Sequence, residues 1–362
     1  MRTFRLERSG APLLDIASYA RSGSHEQIHL SPAEVEHIRR TVTGVPEVMV
    51  KVIGGGGAAD SGGVRRHLEY IDRHGELAIE MDDGEQLQGP GVALRLVRDW
   101  DLDLEQNRKW PGLTAVDRRP APKLVHRLIF SMPAGTPPKK VLSAVRDFAR
   151  DEFGLKHRYA MVLHTDEPHP HVHVVVKAVS EDGQRLNIRK VTLRAWRQEF
   201  ARNMREHGIA ANATERAVRG EPRTGKTDSI YRAALRGAST HMRERMEEAA
   251  TYPAVRKAPF DPGKAKLIDT RRRIEQGWRA VARLLDGQGE RHLAENVVRF
   301  IEASRRSVVR LAVHAGGPAI AVSFARHRTS HAIAGLLRDS APLRPLPSRS
   351  LKPFATDARE RC

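Results

Sequence analysis

Within residues 45–53 valine recurs with period two at 48, 50 and 52, the alternation of a strand with one buried face, and the run stops at four glycines, Gly54 to Gly57. A helical spacing follows from Gly63 to Arg73 and ends at Gly75. Residues 124–130 (LVHRLIF) read as a second strand, closed by Ser131-Met132-Pro133-Ala134-Gly135. Residues 138–153 carry Val141, Val145 and Phe148 on one helical face. Two β-rich runs, 159–164 (YAMVLH) and 171–179 (HVHVVVKAV), flank the connection 165–170 and predict an antiparallel pair. After the turn Glu181-Asp182-Gly183 a long helical pattern covers 192–207. The expected fold class is α+β: a mainly antiparallel sheet with the histidines of 164–173 near its centre, helices on one side, and a mostly helical C-terminal region.

The flanks read differently. Residues 1–45 form an N-terminal extension with one clear helix start, where Ser31 precedes Pro32 and stands three residues before Glu34. From residue 216 onward basic helices dominate. Ile274, Trp278, Val281 and Leu285 fall at i, i+4, i+7 and i+11, and Leu293, Val297, Phe300, Val308 and Leu311 continue such a stripe. Stripes of this kind are packing faces rather than cofactor boxes. Residues 341–362, rich in proline, serine and arginine, are expected to be disordered.

Charge changes the picture more than hydropathy does. The 362 residues hold 62 Lys+Arg against 44 Asp+Glu, a net +18, and residues 216–362 contribute 30 basic and 15 acidic residues to that balance. About +15 of the excess therefore sits in the last two-fifths of the chain. Such a field favours a polyanion, nucleic acid or an acidic membrane surface, although it also serves solubility. The single cysteine, Cys362, excludes internal disulfides and cysteine-based zinc knuckles. The first twenty residues lack the apolar run of a signal peptide, and the uncharged stretch from Leu311 to Ala325 falls short of the ~18 residues a spanning helix needs. A cytoplasmic, soluble protein is expected.

The chemistry concentrates in His164-Thr165-Asp166-Glu167-Pro168-His169-Pro170-His171-Val172-His173. On a strand His171 and His173 share one face while Val172, Val174 and Val176 share the other. A third imidazole, from His164 or equally from His169, completes an open divalent-metal site, with Asp166 as ligand or as the acceptor that fixes a tautomer. No HExxH helix, phosphate-binding P-loop or GxSxG elbow is present, and the glycine run at 54–57 lacks the GKS/GKT ending. Of the five tyrosines, Tyr70 has Arg66, His67 and Arg73 as helical neighbours. Alone it reads as a packing residue. Beside a metal site and a basic face, a deprotonated phenol is a nucleophile for a phosphoryl group.

Three stretches, in this order, resemble the relaxases, the mobilisation nucleases of conjugative plasmids and integrative elements within the HUH endonuclease superfamily. GGVRRHLEYIDRHGEL is similar to the family's first motif, whose tyrosine maps to Tyr70; HRLIFSMPAG to the second, with Ser131 matching a serine near bound DNA; HTDEPHPHVHVVV to the third. The segment 196–220 resembles what trails the third motif. The resemblance implies His164, His171 and His173 as metal ligands, Asp166 as a supporting or proton-accepting group, and His169 as a bystander. It divides the chain into an extension (1–45), a relaxase-like nuclease domain (46–215), a basic helical region (216–340) and a tail (341–362). Tyr70 follows a longer N-terminal extension than is usual in the family, which leaves Tyr19 as a minor competitor.

The implied activity is nicking and religation of single-stranded DNA at an origin of transfer, through a 5′-phosphotyrosyl intermediate. Magnesium or manganese is the implied cofactor, although three imidazoles also suit zinc, nickel or copper. Arg65, Arg66, Arg73, Lys177, Arg185 and Arg189 are candidate phosphate contacts. Implied partners, besides the DNA, are accessory nick-site proteins and a type IV secretion coupling protein, with transfer into a recipient cell. A rolling-circle initiator or transposase of the same superfamily, and a DNA-binding protein without catalysis, are the alternatives.

Overall fold

All strand pairings among the described residues are antiparallel. Strands β1 (Met49–Val52), β2 (Ile79–Met81), β3 (Gln86–Leu87), β4 (Val125–Ser131), β5 (Tyr159–His164) and β6 (His171–Lys177) form one sheet in the order β1-β4-β6-β5-β2-β3. The computed structural model describes residues 29–53, 59–107, 122–221 and 262–314, together with Ile16 and Thr240. Gly54 to Gly57, Tyr19 and the tail 341–362 lie outside the described residues. Residues 1–310 form one compact unit and 311–362 a second, and the cores and the site lie in the first.

The central strand β6 explains the layering. Its valines 172, 174 and 176 point to one face, where they join Phe130, Phe148, Phe153, Trp196 and Phe200 in a core. Two helices supply that face, α5 (Pro138–Phe153) and α6 (Lys190–Glu206). Val175 points to the other face and is buried with Ala160, Val162, Val64, Leu68 and Leu96. That second core is closed by α2 (Ser61–Ile71), α3 (Val92–Asp99) and α4 (Leu102–Asn107). The α+β class and antiparallel sheet are as expected, but helices stand on both sides of the sheet. The reason is visible in β6 itself: beyond the two histidines its second face turns apolar at Val175 and needs cover.

The hairpin β2–β3 and the helices α3 and α4 carry no expectation from the pattern reading. Strands of three and two residues are too short to show an alternation, and only the Asp83-Gly84 turn between them signals a hairpin. The first strand is shorter than the valine alternation predicts because Glu47 leaves the ladder. It makes an isolated bridge to Asn212 and an ion pair with Arg219 at 2.9 Å.

The N-terminal helix α1 (Pro32–Val42) forms with its capping box, the Ser31 N–H donating to Glu34 Oε2 at 2.8 Å and the Glu34 N–H to Ser31 Oγ at 3.3 Å. Its Ile38 packs with Trp278, Val281 and Leu285 of α7 (Pro262–Gly287) and with Leu293 and Val297 of α8 (Arg291–His314). The predicted stripes are packing faces; the side chains of Val308 and Leu311 lie outside the described residues. Asn212 ties α1 to the sheet, its amide donating to Thr41 Oγ1, Glu47 Oε1 and Thr214 Oγ1. Among the described residues no helix is long and apolar enough to cross a membrane.

Two stability predictions follow from particular positions. Gly75 has φ +94°, and a Cβ there would lie 2.4 Å from the Gly89 carbonyl carbon. Gly75→Ala is expected to cost about 2–4 kcal/mol, from left-handed strain plus overpacking, read as a shift in a urea melt at constant slope. The second concerns pH. Burial, with Arg40 and Arg205 adding, pushes the His37 imidazole down to about 4. Burial does the same to His126, against the opposing hydrogen bond to the Leu186 carbonyl. Each is neutral when folded and takes up a proton more readily when unfolded, so the stability each confers is present above its unfolded pKa and lost as pH falls from about 6.5 to 4. Thermal melts in EDTA should show stability falling in that window by up to about 1.4 kcal/mol per pH unit per histidine.

Candidate active site

His164 ends β5 and His171 begins β6, and the ladder pairs them directly, with His173 two residues further on opposite Val162 and Ile129. The shared face that alternation assigns to His171 and His173 therefore also holds His164. The ring centroids lie 5.1 Å (164–171), 4.5 Å (164–173) and 5.2 Å (171–173) apart. One ring nitrogen from each falls within 4.8 Å of the others. The side chain of His169 is exposed and outside this cluster; only its carbonyl takes part, accepting from His171 Nδ1 at 3.1 Å.

Hydrogen bonding fixes two tautomers. A carbonyl only accepts, so His164 Nε2, 2.6 Å from the Ile71 carbonyl, carries the proton and leaves the Nδ1 lone pair free. By the same reasoning His171 donates through Nδ1 and keeps its lone pair on Nε2. His173 Nδ1 is buried with no hydrogen-bond partner among the described residues. Burial, and after it the neighbouring His164 and His171, pushes the His173 imidazole down to about 3. Burial also lowers His164, against the opposing Ile71 hydrogen bond. Two imidazoles held neutral, His164 and His173, oriented lone pairs on His164 and His171, and one orphaned buried nitrogen are what a divalent ion requires of its ligands. The triad fits a metal by this test.

Tyr70 lies over the same region. Helix α2 packs its Val64, Leu68 and Ile71 onto the sheet, so Tyr70 projects from the helix edge and is 59% exposed. Its ring stacks on His67 at 6.5 Å, and His67 in turn stands edge-on to His173 at 6.3 Å. Arg73, just past the helix, has left-handed backbone (φ 55°), and its guanidinium carbon lies 5.3 Å from the centre of the Tyr70 ring. That guanidinium also pairs with Asp166 and approaches His164 Nδ1 to 3.4 Å. Asp166 Oδ1 is 4.0 Å from His164 Nδ1. Burial pushes the Asp166 carboxyl up, and the hydrogen bond and charge of Arg73 more than offset it, holding the group below its ordinary range.

Residues 95–209 match the family model of the relaxase, MobA/VirD2-like, nuclease domain, a span that contains all three histidines and Asp166. The matched residues are thus similar in sequence to a relaxase nuclease domain. The chain is 27% identical over 219 residues to the T-DNA border endonuclease VirD2 of Agrobacterium fabrum, covering 54% of this chain and 46% of that protein. Proteins of the same name from Rhizobium rhizogenes (26% over 208 residues, 48% of this chain and 42% of the relative) and Rhizobium radiobacter (27% over 186 residues, 48% and 43%) are similar. The similarity thus spans less than half of each relative's length. Tyr70 precedes the residues matched to the family model.

Not every residue singled out in the sequence reaches the histidine site. Ser131 does: it sits opposite His171 in the ladder, buried, with its hydroxyl 3.4 Å from the Met132 carbonyl. Arg65 and Arg66 are exposed on α2, in loose pairs with Glu69 (3.5 Å) and Asp60 (3.8 Å). Lys177 is on the histidine face but six residues along β6, roughly 20 Å from His171. It is buried and pairs with Glu181 at 3.4 Å. Arg185 donates to the Lys123 carbonyl at 2.8 Å and bridges Val179, at that same distant end. Arg189 caps α6, a helix of the opposite face. Two further residues stand near the histidine cluster. His67 Nε2 is buried without a hydrogen-bond partner among the described residues, and Arg127, opposite Val175 in the ladder, is a charge that helps burial push His67 down to about 4.

Proposed function

We propose that this chain is a site- and strand-specific DNA relaxase that nicks single-stranded DNA at an origin of transfer and reseals it. The observation that carries the reading is the convergence of an exposed tyrosine and a three-histidine cluster on one sheet face, bridged by His67 and Arg73. His164, His171 and His173 would hold the divalent ion, magnesium or manganese, which supplies Lewis-acid polarisation of the scissile phosphate. The Tyr70 oxygen forms a bond to phosphorus as the bond from phosphorus to the 3′ oxygen breaks, and the phenolic proton leaves while the 3′ oxygen gains one. The 5′-phosphotyrosyl link keeps the phosphodiester energy, so the reverse step needs no nucleotide cofactor. Asp166, held ionised by Arg73, is the carboxylate placed to take part in that proton traffic.

The relatives' name, border endonuclease, agrees with cleavage at a defined DNA sequence. Residues 46–215 would be the catalytic part, and the basic helices after residue 216 would add non-specific grip on DNA or dock nick-site and secretion-coupling proteins. With aromatic residues at only 5% of the chain, recognition leans on phosphates and hydrogen bonds, so binding should weaken steeply with salt. The test is incubation of the protein with single-stranded origin oligonucleotides and Mn2+ or Mg2+, followed by a denaturing gel. A covalent protein–DNA adduct is expected, and its absence with every origin sequence of the element that carries the gene overturns the relaxase reading.

A further inference from the structure

One guanidinium touches Tyr70, His164 and Asp166. Arg73 pairs with Asp166, stands 3.4 Å from His164 Nδ1, donates to the Tyr70 carbonyl at 3.4 Å, and has its central carbon 5.3 Å from the centre of the Tyr70 ring. The contact with His164 is the informative one. Because His164 spends its Nε2 proton on the Ile71 carbonyl, Nδ1 is the only atom it can offer to an ion. Arg73, which can only donate, points at that same lone pair. A lone pair cannot serve both.

We infer that Arg73 is a positioning residue that exchanges partners: it occupies the His164 Nδ1 ligand position as a resident cation and must leave when a divalent ion binds there. The displaced guanidinium stays on the Tyr70 side, since its backbone is anchored by the left-handed turn at 73–75 and by the Gly75–Gly89 approach. It is thereby freed to meet the phosphate that Tyr70 attacks. Metal uptake and the presentation of a phosphate-binding arginine become one event, and binding the ion carries the cost of breaking the Arg73 contacts. This rests on the metal reading of the histidine triad.

The experiment is calorimetric titration with Mn2+ alone, at 0.1 M and 1 M salt, of the wild type, Arg73→Gln and Arg73→Lys, each first checked for native circular dichroism. Both variants are expected to bind Mn2+ roughly tenfold more tightly than the wild type, because neither side chain reproduces the guanidinium's arrangement, with Nη2 shared between Asp166 and His164 while Nη1 donates to the Tyr70 carbonyl. The gain should persist at 1 M salt, where charge repulsion is screened beyond about 3 Å. Arg73→Lys keeps the charge and serves as the conservative control on folding. Equal affinities in all three proteins overturn the exchange while leaving the metal reading intact. A gain confined to Arg73→Gln at low salt also overturns it, since that is charge repulsion without occupancy. No Mn2+ binding by the wild type overturns the metal reading, and the exchange with it.

Discussion

Tyr70→Phe is expected to abolish the covalent adduct and to lower strand cleavage by at least about 10⁴-fold, since the variant lacks the only atom proposed to bond to phosphorus. The substitution is clean in this site. The side chain is 59% exposed, and its ring packs on His67 and under Arg73, so a phenylalanine keeps both contacts and loses the hydroxyl alone. Stability should stay within about 0.5 kcal/mol of the wild type, and Mn2+ affinity should not change. The readouts are a denaturing gel for the adduct, a thermal melt and a metal titration. Cleavage that survives in Tyr70→Phe removes this tyrosine from the mechanism, and a Tyr19→Phe comparison then shows whether the other candidate serves.

The second large effect is expected at His173. It is a buried imidazole of the cluster, with Nδ1 lacking a hydrogen-bond partner among the described residues. His173→Ala should weaken Mn2+ binding about a hundredfold or more, given that loss of a residue that merely supports a ligand costs 10–100-fold. Cleavage should fall in parallel at any metal concentration below the new dissociation constant. In EDTA the variant should be about as stable as the wild type, because relief of an unpartnered buried nitrogen offsets part of the lost packing. The discriminating measurement is the melting shift on adding metal. Wild type should gain about 2.7 kcal/mol at a hundredfold excess over its dissociation constant, and His173→Ala close to nothing under the same conditions. A metal-dependent shift equal in both proteins would sink the triad as the ligand set.

Both predictions draw on residues legible in the sequence, whereas the coupling between them was not. The triad is legible because its parts are close in the chain: period-two alternation puts His171 and His173 on one face, and a hairpin returns His164 beside them. Tyr70 and Arg73 are legible as helical neighbours. That Arg73 turns back across to Asp166, 93 residues away, depends on the left-handed turn at 73–75, which exists because Gly75 packs against Gly89. The basic residues show the opposite failure. Composition marks Lys177 and Arg185 as phosphate contacts, but six residues of extended chain carry Lys177 to the far end of β6, with Arg185 beside that end. Helices on both sheet faces were likewise missed: the β2–β3 strands are too short to show an alternation, although the amphipathic pattern of residues 92–99 was there to read.

By itself the sequence determined the α+β class, the histidine-bearing strand face, the helix that carries Tyr70 and the basic excess after residue 216. Each of these is set within about ten residues of chain, by backbone sterics and side-chain alternation or by composition alone. Only the tertiary structure decided which nitrogen of His164 is free, because the Ile71 carbonyl that orients the ring belongs to a helix 93 residues earlier, docked on the sheet by Leu68 and Ile71. It also set the Arg73 guanidinium 3.4 Å from that nitrogen. Contacts of this kind arise from the packing of separate elements, and local periodicity carries no record of them.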